Sequence, residues 1–365
     1  MNKNKKLVFL TGGGTMGPVA PLIGVYEELK ERDEALDFVW IGTKNGPERE
    51  VINDIGIKFV AIRSGKLRRY FSLKILFDLF NVKLGFFESI YLILKYRPKI
   101  ILSAGAYVSV PTAWAAWILG VPVLIHQQDV LPGLANRLMS FAAKKITTTF
   151  EKSLDDYGDK AVWVGNSIRA QFIENKITKR EARQKLNLSM SPDVVLITGG
   201  GSGAQAINKI VEESLECLTR FCQVLHVTGK GKMTKKMEEE RIKNPNYRVF
   251  EFLDTFGMIK SFAASDIVVS RAGMSTLTEL SYLAKPAVLI PMPKTHQEQN
   301  AQVFLDSRAA LVLDQEKLDV DIFVKNIRKL VNNKALREKI SVASRRIIKS
   351  DAHIGIANEV FKIIK

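Results

Sequence analysis

The sequence is short of several residue types, and each shortage narrows the possibilities. Cys217 and Cys222 are the only cysteines in 365 residues. That excludes a disulfide framework and a cysteine-based metal cluster, and both thiols read as reduced and structural, as in a cytosolic protein. No apolar run reaches the ~20 residues needed to span a bilayer. The basic Met1–Lys6 segment does not open a signal peptide, because the apolar run behind it stops at Thr11-Gly12-Gly13-Gly14. Acidic residues are scarce: 38 Asp and Glu stand against 54 Lys and Arg, a net charge of +16. Such an excess implies an acidic partner, whether nucleic acid, anionic lipid or a phosphorylated substrate. The chain carries no RRM, KH, zinc-finger or helix-turn-helix signature, so only the charge speaks for nucleic acid.

What is present is the composition of a globular protein, 46 % hydrophobic and 25 % charged. At roughly 100–200 residues per domain, the length suggests two domains with full cores. The first half repeats strand, loop and helix. Lys6–Leu10 is an apolar strand running into Thr11-Gly12-Gly13-Gly14-Thr15-Met16-Gly17-Pro18, with a helix over Leu22–Lys30 behind it. This is the shape of a phosphate loop, but its spacing is neither GxGxxG nor a Walker sequence, so a dinucleotide or ATP site is not supported. Further strands are predicted at 37–42, 58–62, 100–103, 121–125, 145–148 and 161–164. The fifth of these seven ends in His126-Gln127-Gln128-Asp129, with Asn136 in the next helix. Polar residues at a strand's carboxyl end mark ligand sites in α/β proteins. Gly165-Asn166-Ser167-Ile168-Arg169 breaks the pattern and reads as a linker. Strands and helices resume with Asp193–Thr198, Gly199-Gly200-Gly201-Ser202-Gly203 and a helix from Gln205. The tail from about Ala343 reads as amphipathic helix. Asp319-Val320-Asp321 has metal-binding DxD spacing but reads as a helix start.

One stretch organises the rest, Asp266–Glu279. Ile267-Val268-Val269 is an unbroken β-branched run, as in a strand buried on both faces. Arg271-Ala272-Gly273 turns the chain. Ser275 or Thr276 is the expected N-cap, with Thr278 and Glu279 in the first turn. Such a corner gathers free N–H groups and the positive end of a helix dipole, which favours a pyrophosphate. Glu279 is then placed to accept from a ribose; a capped helix with a solvated glutamate is the alternative.

Residues 63–98 mix Leu, Ile and Phe with Lys and Arg and hold only Asp78 and Glu88 as acids. They read as a helical face lying on an anionic membrane surface. Two packed helices with snorkelling lysines are the alternative.

Eight segments in order carry a resemblance: the N-terminal Gly loop, GAYVSVP (105–111), HQQD (126–129) with Gly133 and Asn136, GNSIR (165–169), GGGSGAQAIN (199–208), EFLD (251–254), SRAGMSTLTE (270–279) and HQEQNA (296–301). The chain resembles the MurG family of bacterial peptidoglycan transferases, in glycosyltransferase family 28. The resemblance implies an α/β GT-B fold, two Rossmann-like parallel-sheet domains facing across a cleft. Residues 1–164 would be the acceptor and membrane-facing domain and 165–345 the UDP-sugar domain. Residues 346–365 would be a terminal helix, with packing back on the first domain as one option. The family moves N-acetylglucosamine from UDP-N-acetylglucosamine to undecaprenyl-pyrophosphoryl-muramyl-pentapeptide (lipid I to lipid II), peripherally at the cytoplasmic face of the cell membrane, for the cell wall. No cofactor, metal or nucleic acid is implied.

By the same resemblance, Glu279 binds the ribose, Leu253 reads uracil through its backbone, and the N–H groups of Met274, Ser275 and Thr276 line the diphosphate. His296 and Gln297 touch the sugar, and Arg169 lies near the nucleotide. Thr15, Met16 and Gly17 lie beside the acceptor's diphosphate, and Asn136 is a further substrate-binding position. The chain departs from the family's motifs in four places. GGTGGH becomes Gly13-Gly14-Thr15-Met16-Gly17-Pro18, with Pro18 where the family has a candidate catalytic histidine. HEQN becomes His126-Gln127-Gln128-Asp129. The phosphate-contacting serine position holds Gly201, with Ser202 beside it. GNPxR carries Ser167 for its proline. Inversion at the anomeric carbon needs a base for the acceptor hydroxyl and a sink for charge on UDP. Asp129 is the expected base and His126 the fallback. Two other readings stay open: a transferase acting on another polyprenyl-linked or glycolipid acceptor, and a nucleotide-sugar-binding subunit without catalysis.

Overall fold

A computed structural model describes residues 6–65, 74–201 and 203–365. Ser202 and the segment 66–73 lie outside the described residues. The chain divides into two compact units, residues 1–167 with 349–365, and residues 168–348.

The first unit is one seven-stranded parallel sheet. Its strands are β1 (Lys6–Thr11), β2 (Leu36–Gly42), β3 (Lys58–Ala61), β4 (Ile100–Ser103), β5 (Val123–Gln127), β6 (Lys145–Thr148) and β7 (Ala161–Trp163), in the order β3-β2-β1-β4-β5-β6-β7. The helices are α1 (Ala20–Arg32), α2 (Glu48–Asp54), α3 (Lys74–Tyr96), α4 (Ser109–Ile118) and α5 (Leu134–Ser140). Val8, Leu10, Trp40 and Leu102 point to one face of the sheet, where α1 and α2 supply Leu22, Leu29 and Ile52. Phe9, Ile41, Ile101 and Ile125 point to the other, against Ile93 of α3, Ala113 of α4 and Met139 of α5. The period-2 alternation of strand side chains produces both faces, and both are apolar because helices cover both.

The second unit repeats the plan with six strands. These are β8 (Val194–Thr198), β9 (Gln223–Val227), β10 (Tyr247–Phe250), β11 (Ile267–Ser270), β12 (Ala287–Leu289) and β13 (Leu311–Val312), ordered β10-β9-β8-β11-β12-β13 and all parallel. Its helices are α6 (Ala170–Glu174), α7 (Lys179–Lys185), α8 (Gln205–Thr219), α9 (Lys235–Lys243), α10 (Thr255–Ala264), α11 (Met274–Leu283), α12 (Gln297–Asp306), α13 (Val320–Val331) and α14 (Lys334–Ser344). Asp319 caps α13, its carboxylate accepting the Ile322 N–H at 2.7 Å, so the DxD triplet is a helix start. The predicted single tail helix is broken. α14 ends at Ser344, and α15 (Ala352–Ile364) begins after a loop and joins the core of the first unit, burying Ile356 and Val360 beside Val25 and Leu29.

Both sheets are the doubly wound α/β arrangement expected of a Rossmann-like unit. In each, the strand order reverses beside the first strand, between β1 and β4 and between β8 and β11. Crevices at the carboxyl ends of such strands are where this architecture takes ligands. The three glycine-bearing corners singled out in the sequence occupy those ends.

Candidate active site

In the second unit, β11 leads through Arg271-Ala272-Gly273 into α11. The N-cap is Gly273, extended at φ −80°, ψ 143°, and no side chain caps the helix. The expected Ser275 or Thr276 cap is therefore corrected. Both lie inside the helix, because an extended Gly273 serves as the cap and the helix starts earlier than expected, at Met274. The backbone N–H groups of Met274, Ser275 and Thr276 are consequently the first-turn donors that an α-helix leaves without an internal partner. Arg271 locks the corner from behind. Its Nη1 donates to the carbonyls of Ile290 (2.9 Å) and Pro291 (3.0 Å), and Nη2 to Gln315. Asn300 of α12 is buried and donates to the Ala272 carbonyl at 3.4 Å.

Glu279 belongs to the second turn, not the first, and is only 5 % exposed. The solvated-glutamate alternative is thereby removed. Arg169 Nη2 donates to its Oε1 at 2.5 Å, and Nη1 donates to Thr255 Oγ1 at 3.0 Å. The guanidinium also lies over the Phe172 ring, 4.8 Å from its centre. Burial pushes the Glu279 carboxyl above the ordinary carboxylate range, and the charge and hydrogen bond of Arg169 oppose that rise. Only Oε1 is engaged by Arg169, so the second oxygen keeps its lone pairs for an incoming hydroxyl.

The other positions of this unit fall on the loops around the corner. Gly200 (φ +80°) and Gly203 (φ +69°) shape the turn after β8, and a Cβ on Gly203 would overlap the Thr228 carbonyl. Gly201 is exposed in that turn, α8 starts without a side-chain cap, and Lys232 Nζ reaches the Gly203 carbonyl at 3.1 Å. Leu253 is half-buried in the loop after β10, packed on Gly257, beside an exposed Phe252 that carries Lys230 over its ring at 4.6 Å. His296 is the N-cap of α12 and Gln297 its first residue. Gln297 Oε1 accepts the Met292 N–H at 3.1 Å.

In the first unit the carboxyl ends of β1, β4 and β5 converge. Gln128 Nε2 donates to the carbonyls of Gly17 (3.1 Å) and Ala104 (3.2 Å), tying the Gly-rich loop to the loop after β4. Thr15, Met16 and Gly17 are exposed at this edge. Asp129 is half-buried two residues past β5, and its carbonyl accepts Gln127 Nε2 at 2.8 Å. Asn136 is 6 % exposed and donates to Gln127 Oε1 at 2.5 Å, while its own Oδ1 is buried, facing Gly105, with no partner among the described residues. A buried amide oxygen without a donor is costly and marks a place where a ligand donor fits.

His126 is a correction. The strand extends two residues beyond its predicted end and takes His126 into the sheet, fully buried. Its Nδ1 meets Thr147 Oγ1 at 3.1 Å and its Nε2 meets Asn166 Oδ1 at 3.4 Å. Burial lowers its pKa to about 4. With both nitrogens occupied and no surface, the ring cannot take a proton from a substrate, so Asp129 is left as the sequence-derived base. Pro18 lies in the same loop and offers no proton acceptor.

Comparison with known proteins supplies the lineage. Residues 8–148 match the glycosyltransferase family 28 N-terminal domain and residues 194–353 the family 28 C-terminal domain. A relative from Clostridium kluyveri is 37 % identical over 330 residues, covering 89 % of this chain and 91 % of its own length. One from Legionella pneumophila (strain Paris) is 34 % identical over 362 residues, covering 95 % and 97 %. Both bear the name UDP-N-acetylglucosamine--N-acetylmuramyl-(pentapeptide) pyrophosphoryl-undecaprenol N-acetylglucosamine transferase. Among solved structures, Acinetobacter baumannii MurG superposes with a TM-score of 0.79 at 24 % identity, covering 98 % of this chain and 99 % of that one. A Neisseria meningitidis UDP-GlcNAc 2-epimerase bound to UDP-GlcNAc gives 0.70 at 15 %, covering 98 % and 100 %. With both domains of the family matched along one chain, this protein belongs to glycosyltransferase family 28.

Proposed function

We propose that this protein transfers N-acetylglucosamine from UDP-N-acetylglucosamine to undecaprenyl-pyrophosphoryl-muramyl-pentapeptide, converting lipid I to lipid II for peptidoglycan. The observation that carries the donor half is the α11 corner. Among the described residues, three N–H groups stand free at a helix start, and a buried carboxylate one turn further on has an oxygen to spare. The first feature suits a diphosphate and the second suits a ribose. Leu253, His296, Gln297 and Gly201 line the loops around it, as uracil, sugar and phosphate contacts. The named relatives make this donor and acceptor the most economical choice.

The reaction is a single in-line displacement. The acceptor hydroxyl attacks the anomeric carbon of the α-linked donor, its proton passes to Asp129, and the carbon–oxygen bond to UDP breaks with inversion. The charge on UDP is taken up by the N–H groups of Met274, Ser275 and Thr276 and by the positive end of α11. Thr15, Met16, Gly17 and Asn136 hold the acceptor's head.

The lipid acceptor calls for a membrane, and α3 supplies a face for one. Phe77, Phe80, Phe87, Tyr91 and Leu94 recur at helical spacing and are 55–68 % exposed, with Lys83 and Lys95 among them. Trp117 and Ile118 at the end of α4 and Phe141 after α5 extend the apolar surface. No helix among the described residues is long and apolar enough to cross a bilayer. We read the protein as peripheral, at the cytoplasmic face, with each basic side chain near anionic lipid contributing ~1 kcal/mol.

The test is purified protein with lipid I and UDP-N-acetylglucosamine, following UDP release and lipid II. Turnover on another polyprenyl-linked acceptor but not on lipid I would reassign the substrate. UDP-N-acetylglucosamine binding without turnover on any lipid would make the chain a binding subunit.

A further inference from the structure

Glu48 lies outside every motif discussed so far, yet its carboxylate backs the Gly-rich loop. It opens α2 behind Pro47 and is completely buried. Oε1 accepts the Thr43 N–H at 2.8 Å and the Thr43 hydroxyl at 2.5 Å, and Oε2 accepts the Gly14 N–H at 3.0 Å. Among the described residues no cation pairs with it. A buried carboxylate without a cation is tolerable only where donors fill its lone pairs. Here every donor comes from the two loops it joins.

The neighbourhood is shaped to the carboxylate. A Cβ on Gly13 or on Gly46 would overlap it. Gly14, at φ +78°, is pressed from the other side by Tyr107, whose ring would lie 2.8 Å from a Cβ there. Burial and the Glu48 charge both push the Tyr107 phenol up, which keeps it a neutral wall. The loop's carbonyls are also drawn inward, Gly12 to Trp40 Nε1 (2.9 Å) and Gly17 to Gln128 Nε2 (3.1 Å). Among the described residues, the N–H groups of Thr15, Met16 and Gly17 have no protein acceptor, and all three residues are exposed.

We propose that Glu48 is a positioning residue for the acceptor site. It turns the Gly14 N–H inward and so leaves the next three N–H groups standing free, aimed at the acceptor's diphosphate. The inference rests on the acceptor reading above. A residue needed only to fill space would be apolar at this depth. A glutamine could satisfy one loop only, because its amide N–H₂ would confront a backbone donor of the other.

The test uses the full chain carrying Glu48→Gln and measures KM for the lipid acceptor, KM for UDP-N-acetylglucosamine, and amide hydrogen exchange over residues 11–19. The expected result is faster exchange in that segment and an acceptor KM raised about tenfold or more, as for leaving a buried donor unpaired. The donor KM should stay within about twofold, since an interaction made only with the acceptor is lost. Glu48→Asp, which keeps the charge on a shorter stem, should recover part of the acceptor KM. An unchanged acceptor KM, or donor and acceptor constants worsening together, overturns the proposal. Should Glu48→Gln fail to fold, Gly13→Ala pushes the loop off the carboxylate without altering a buried charge. The same signature is expected of it, and a wild-type acceptor KM would overturn the idea. If the unaltered protein transfers nothing to the lipid acceptor, the functional reading fails, and exchange over residues 11–19 still decides whether Glu48 holds the loop.

Discussion

Glu279→Gln is the sharpest test of the nucleotide corner. The side chain is enclosed and Arg169 holds one oxygen at 2.5 Å, so an isosteric amide keeps that bond and the packing. What it loses is the free acceptor oxygen, replaced by an amide N–H₂ that cannot accept from a ribose hydroxyl. A hydrogen bond to a charged group is worth about 1.5–3 kcal/mol, so UDP should bind roughly 10- to 150-fold more weakly. Calorimetry with UDP and with 2′,3′-dideoxy-UDP isolates the cause. The unaltered protein should discriminate between them, and the Gln variant should bind both about equally. Proton linkage gives a second signature. Burial raises the Glu279 carboxyl against the pull of Arg169, so it takes up a proton at a higher pH than an ordinary glutamate. UDP affinity should therefore be full above that raised pKa and fall as pH drops through it, and the Gln variant should lack this limb. The sign for stability is opposite. A raised folded-state pKa means the carboxyl favours the fold most when protonated, at low pH, and less as pH rises through the folded value. The Gln variant should therefore melt no lower than the parent at neutral pH, which separates lost binding from lost folding. An equal loss of affinity for both ligands would refute the ribose assignment.

Three further outcomes follow from the same geometry. Asp129→Asn should lower kcat at least about tenfold while leaving UDP affinity unchanged; a normal kcat in a steady-state transfer assay rejects Asp129 as the base. Replacing Phe80 and Phe87 together by Ser should release the protein from anionic vesicles in a flotation assay without changing UDP affinity, and undiminished flotation would remove α3 from the membrane surface. His126 is buried neutral with its pKa lowered from 6.5 to about 4. A depressed imidazole supports the fold above pH 6.5 and loses that support as pH falls towards 4, by about 3 kcal/mol. Urea unfolding between pH 7 and 4 should show that loss in the parent and a smaller one in His126→Asn.

Much of this protein is local information. Ile267-Val268-Val269 before Gly273, and Val194–Thr198 before Gly199-Gly200-Gly201, read as strand and turn because β-branched runs and glycines act within a few residues. The α3 stripe was legible for the same reason, since a 3.6-residue period needs no partner to be seen. The seven- and six-stranded parallel sheets follow from repeating that unit. Depth was not legible. His126, the fallback base, stood just past its predicted strand, and only its pairing with Thr147 on β6 carries the ring into the sheet. The choice of Gly273 over Ser275 as cap depended on where β11 released the chain. Whether Glu279 was solvated or buried depended on Arg169, 110 residues earlier, which packs against it. Glu48 carries no motif of its own in the sequence, though a proline just before a glutamate is a helix-start signal. Element type and the anion-binding corners are thus set by neighbours along the chain, whose preferences act at short range. Burial, and with it the proton affinity and freedom of each polar group, is set by residues 21 to 110 positions away, and only the folded packing brings those together.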